Sequence, residues 1–122
     1  DTVTAKIDLA VQCHQRSIPI IACMGAANKL DPSLFEVMDI YCTAGDPLAR
    51  ILRKKLKERG VPRLKVICSR ERPHRPTIGE ERPAAGRNSV PASISFVPSA
   101  AGLIMAGAVI RDLLNIRVEV SS

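Results

Sequence analysis

The chain has 122 residues and a formal net charge of +6, with 46% apolar residues but only Phe35, Phe96 and Tyr41 as aromatics. That is room for one domain or for part of a larger one, with an aliphatic core, and it excludes the aromatic stacking platforms many single-strand nucleic-acid binders use. Cys13, Cys23, Cys42 and Cys68 form no CxxC pair, which argues against a zinc site or disulfide framework and for reduced thiols in a cytoplasmic protein.

No signal-peptide pattern opens the sequence. The longest apolar stretch, residues 100–110, is shorter than the roughly 20 residues that cross a bilayer, so no membrane span is expected. The first predicted element is a helix over 2–17, with Val3, Ile7, Ala10, Val11 and His14 on one stripe and His14 as a packing residue at its edge. A buried strand follows over 18–24, giving the helix–strand order of a parallel sheet.

The chain then leaves the strand through Met24-Gly25-Ala26-Ala27, a turn with almost no side-chain bulk. Such a turn admits another backbone or a ligand at close range. Residues 34–43 read as a second extended run, Phe35, Val37 and Tyr41 alternating with Glu36 and Met38. The best-signalled helix comes next: Asp46 is a good N-cap, Pro47 suits the first helical position and Gly60 stands past the end. Leu48, Ile51, Leu52 and Leu56 are expected to face the core, and Arg50, Arg53, Lys54, Lys57 and Glu58 to face outward.

"LKVICS" (64–69) reads as a third strand. From 70 to 91, four prolines, charges of both signs and two glycines predict a mobile crossing loop. "SISFVP" (93–98) reads as a fourth strand. Ser99 is expected to cap a final helix to about Asn115, buried because it is apolar nearly all round. The pattern is α/β, yet it opens on a helix and contains neither GxGxxG nor GxxxxGK[ST]. It therefore reads as the second half of a larger fold.

Charge is concentrated: residues 50–87 hold 13 of the 18 Lys/Arg and 4 of the 12 acids. This suits a polyanion such as RNA, and equally a solvated helix face plus a disordered loop.

The stretches "DTVTAK", "IPIIACMGAANKLDPSLFEVMDIY", "DPLARILRKKLKERGV", "LKVICSRERP" and "SISFVPSAAGLIMAGAVIRDLL" carry a resemblance. In this order they resemble the C-terminal half of the bacterial tRNA threonylcarbamoyladenosine dehydratases. That family is a ThiF-like branch of the ubiquitin-activating-enzyme-like adenylating superfamily.

The resemblance implies a Rossmann-like fold of which 1–122 is the C-terminal part, with a crossing loop at 70–91 and the N-terminal nucleotide-binding half absent. It implies ATP-dependent cyclisation of N6-threonylcarbamoyladenosine in tRNA through an adenylated carboxylate, with ATP and Mg2+ as cofactors. The partners it implies are tRNA, a second copy in a homodimer and a sulfur-relay protein. Asp1 falls on the family's catalytic Mg–ATP aspartate, followed by Thr2; Asp1 also suits an N-cap. The turn with Gly25, Ala26, Asn28 and Lys29 falls where the acceptor carboxylate meets the nucleotide's α-phosphate, although a tight structural turn with Lys29 in solvent is the plainer alternative. Arg50, Arg53, Lys54 and Lys57, with Arg70 and Arg72, are the tRNA-contact candidates.

Cys68 stands beside the crossing loop, where some superfamily members carry a thioester cysteine, but it falls inside a strand. Two other readings stand beside this one: an adenylating enzyme for a sulfur-carrier protein, which the missing zinc cysteines disfavour, and a non-catalytic fragment that binds RNA or a partner.

Overall fold

Helix α2 shows how closely local chemistry sets an element. In the computed structural model, which describes residues 2–72 and 94–121, α2 runs Pro47–Glu58. Asp46 accepts from the Ala49 amide, and Pro47 opens the first turn. Gly60, at φ +74°, turns the chain off after Arg59. Ala49, Leu52 and Leu56 form its buried stripe. Ile51, expected inside, is 47% exposed, because it lies a quarter-turn from Leu52, beyond the reach of the sheet.

α1 spans Val3–Gln15, and Thr2 caps it by accepting from the Ala5 amide. The N-cap thus falls one residue after Asp1, which lies outside the described residues. Ile7, Ala10 and Val11 are buried on α1, but His14 is exposed and does not join the packing stripe.

Among the described residues the sheet has three strands, in the order β1–β3–β2. β1 (Ile21–Cys23) is parallel to β3 (Lys65–Ser69), pairing Ile21 with Lys65 and Cys23 with Ile67. β2 (Phe35–Asp39) runs antiparallel to β3, from Phe35 opposite Ser69 to Asp39 opposite Lys65. β1 is shorter than the predicted strand and only half-buried. The second run ends as a strand at Asp39 and tightens into a 3-10 turn over Ile40–Cys42, whose start Asp39 caps through the Tyr41 amide. Within β2, Phe35 is buried and Glu36 exposed as expected, but Val37 is exposed while Met38 packs toward the helices.

α1 and α2 cover one face of the sheet. Ile7, Ala10, Val11, Leu52, Leu56, Val66 and Cys68 belong to a single core there. α3 (Phe96–Leu114) covers the other face, where Phe35, Ile67, Val97 and Ala101 pack together. Three expectations fail at α3. Most of "SISFVP" is not a strand: residues 94–95 lead into the helix, whose first turn contains Phe96, Val97 and Pro98. A strand requires a hydrogen-bonded neighbour, and these residues pair with none of the three described strands; proline is tolerated here because first-turn amides have no intrahelical acceptor anyway. Ser99 is not the cap: it lies inside the helix and donates to the Ser95 carbonyl.

Nor is α3 buried all round. Leu103 is 75% and Leu113 77% exposed, and only Val97, Ala101 and Ala108 are buried. At 19 residues it is also longer than the apolar stretch read from sequence, and long and apolar enough by length and composition to cross a membrane.

Candidate functional site

Parallel α/β sheets present ligands at the carboxyl ends of their strands. At that end β1 runs into Met24, whose amide still pairs with the Ile67 carbonyl at 2.8 Å, and then into the small-residue turn. The close neighbour that this turn admits is the Asp46 carboxylate. The Gly25 amide donates to Asp46 Oδ2 at 3.0 Å, and a Cβ built on Gly25 would stand 3.1 Å from the same oxygen. A side chain at position 25 would force the carboxylate to give by a few tenths of an ångström.

Asp46 is 2% exposed and is shared three ways. Oδ1 caps α2 through the Ala49 amide at 3.0 Å. Oδ2 takes the Gly25 amide and lies 3.7 Å from Lys29 Nζ. Lys29 is not solvated: it is 3% exposed, and its ammonium faces this carboxylate. A buried pair of this kind is held by mutual need, since removing one partner strands the other charge, at about 3–5 kcal/mol.

Beyond the turn, Asn28 adopts φ +60°, a left-handed conformation that asparagine tolerates better than most residues. The Glu71 carboxylate then receives the Leu30 amide at 2.9 Å and the Asp31 amide at 3.1 Å, tying the exit of the turn to the end of β3. Asp31 in turn accepts from the Ser33 hydroxyl and amide, which hold its carboxyl below the usual range.

The N-terminus of α1 reaches the same end of the sheet. Lys6, near its start, donates to the Cys23 carbonyl at 3.5 Å. Thr2 therefore stands on the same side as Gly25, Ala26, Asn28 and Lys29, and the structure gathers these sequence-predicted residues at one end. Sequence reading missed Lys6 and the double use of Asp46. The only signals for them were the spacing from Thr2 and the fact that a carboxylate cap has a second oxygen.

Burial pushes the thiols of Cys23 and Cys68 up, with the nearby Asp46 acting in the same direction and Lys29 against it. Cys68 is 1% exposed. A protonated, enclosed thiol is a poor nucleophile.

The tRNA candidates divide. Arg50, Lys54 and Lys57 are exposed on α2. Arg53, expected beside them, turns inward: its guanidinium donates to the Thr43 carbonyl at 2.8 Å and also to the Thr43 hydroxyl. The forked donors of a guanidinium match those two acceptors. Arg70 is exposed and pairs with Glu36 at 3.0 Å, and Arg72 is exposed. A cleft of about 390 Å³ lined by His14, Ile18, Asp39, Arg63 and Lys65 lies at the amino ends of β1 and β3, away from this site.

Among the described residues no cluster of three or more His, Cys, Asp or Glu could hold a metal ion. Asp46 does not suit magnesium either, because both its oxygens are engaged by amides and Lys29.

No family model matches the chain. It is 43% identical, over 94% of its length, to the tRNA threonylcarbamoyladenosine dehydratase of Bacillus subtilis, and covers 48% of that protein. The fold matches Escherichia coli tRNA N6-threonylcarbamoyladenosine dehydratase, TcdA, in complex with AMP: TM-score 0.79, 22% identity, 94% of this chain and 46% of that one. The same enzyme in complex with ATP matches with TM-score 0.61 at 23% identity, over 91% and 47%. The chain spans about half the length of these proteins, and over that span it is similar in sequence to the Bacillus subtilis tRNA threonylcarbamoyladenosine dehydratase and in fold to the Escherichia coli one.

Proposed function

We propose that this chain forms part of an ATP-dependent tRNA threonylcarbamoyladenosine dehydratase. The observation that carries the reading is the 43% identity to the Bacillus subtilis enzyme across nearly the whole chain. A carboxylate resists nucleophiles until its oxygen joins a good leaving group. In this reaction the threonyl carboxylate attacks the α-phosphorus of ATP and expels pyrophosphate. The carbamoyl group then closes on the acyl carbon and expels AMP, with net loss of water from the modified base.

The described residues supply one wall of such a site. On this reading the acceptor carboxylate meets the Gly25–Asn28 turn, with Thr2 and Lys6 at the start of α1 on the same side of the sheet. Asp1 is the residue we assign to the nucleotide and its magnesium ion. Lys29 acts on the turn through Asp46. The reading carries with it a homodimer in a cytoplasmic setting. A sulfur-relay partner is not required by this chemistry.

For tRNA, Arg50, Lys54 and Lys57 recur at four- and three-residue spacing and project from one face of α2. Contacts to phosphates set affinity and salt dependence more than base choice.

The test is to supply the full-length gene product that carries this sequence with ATP and threonylcarbamoylated tRNA. AMP release and a nucleoside lighter by one water are expected. Absence of AMP with modified tRNA overturns the reading. Reversing Arg50, Lys54 and Lys57 to Glu should weaken tRNA binding and flatten its dependence on salt; an unchanged slope removes this face from the tRNA path.

A further inference from the structure

Helix capping explains only half of Asp46. A serine or threonine would satisfy the Ala49 amide with a single oxygen. Here the second oxygen reaches across 21 residues of chain to the Gly25 amide, and a buried ammonium is set beside it. Burying a lysine is costly, and a cap alone does not require it. The glycine at position 25 is shaped to the same contact, since a Cβ would crowd Oδ2.

We propose that Asp46 is a positioning residue for the reaction. By clamping the Gly25 amide and neutralising Lys29, it fixes the turn that receives the acyl acceptor at the carboxyl end of β1. This rests on the function proposed above. It adds that the acceptor, rather than the nucleotide, is what the clamp aligns: Asp46 is enclosed behind the turn, and its oxygens are committed to protein donors.

The test uses the full-length protein and two variants. In Asp46→Asn the amide oxygen can still cap α2, but the NH2 group opposes both the Gly25 amide and Lys29. In Asp46→Asn/Lys29→Met the stranded charge is also removed, so loss of folding is separated from loss of alignment. We expect the double variant to melt close to the parent and its Gly25 amide to exchange faster with solvent. Its kcat for AMP release should fall at least about tenfold, with KM for ATP unchanged, as befits a misplaced acceptor.

If Gly25 stays as protected as in the parent, Asp46 does not hold the turn. If Gly25 is released while kcat stays within about twofold of the parent, the clamp is structural only and the proposal fails. A parent protein that makes no AMP from modified tRNA overturns the function itself, a result that the variants do not affect.

Discussion

The two faces of the sheet are closed to very different degrees. On one, α1 and α2 seal a continuous core from Ile7 through Leu52 and Leu56 to Val66 and Cys68. On the other, α3 touches the strands through Val97 and Ala101 while Leu103, Ile110, Leu113 and Leu114 remain exposed. The central strand serves both: Val66 and Cys68 point into the first core and Ile67 into the second. The difference lies in sequence pattern. α2 is strongly two-sided, so one face has a clear preference for the sheet. α3 is apolar around its circumference and buries only a narrow stripe.

The comparison can be broken by cavities. Leu56→Ala on the sealed face should cost about 2–5 kcal/mol, because neighbours packed on every side cannot collapse into the gap. Val97 is as fully buried on the open face, but removing its methyl groups should cost about 1–2 kcal/mol. Equal losses in urea titrations would show that the faces are equally tight.

A smaller effect sharpens the same contrast through pH. Cys68 lies in the sealed core, and burial raises its thiol above the ordinary value of 9.0. As pH rises past that value the unfolded chain releases a proton that the folded chain retains, so stability should fall above pH 9. Cys68→Ala should reduce the slope of stability against pH in that range. An identical slope means the enclosed thiol does not titrate late. At pH 8, exposed Cys42 should react first with iodoacetamide and Cys68 last; Cys68 labelling first would mean the core opens. The smallest effect is on the open face: Leu103→Gln and Leu113→Gln should shift stability by no more than about 0.5 kcal/mol. A large loss from either would show that this side of α3 is covered.

How much of this was legible depended on how local each signal was. Asp46, Pro47 and Gly60 specify α2 with neighbours at most a turn away, and "LKVICS" announces a strand buried on both faces. The fate of 94–98 could not be read in that way. Its β-branched and aromatic residues favour a strand only if another strand pairs with them, and here the adjoining apolar helix absorbs them. Likewise Arg53 looks solvated in a helical projection until the Thr43 acceptors fold back over it. At the site, Gly25 was legible as a close approach. The identity of the approaching group was not, because Asp46 and Lys29 meet only through the tertiary fold.

The strand order has a consequence for how the chain is made. β1 and β2 do not pair with each other; both depend on β3, which follows them in the chain yet occupies the middle of the sheet. Within this sheet the hydrogen-bonding groups of Ile21–Cys23 and Phe35–Asp39 stay without strand partners until Lys65–Ser69 has emerged from the ribosome. α1 and α2 can form as isolated turns earlier, but the core they share with Val66 and Cys68 cannot close first. Closure of this three-stranded unit therefore waits on a non-local event, the slow kind.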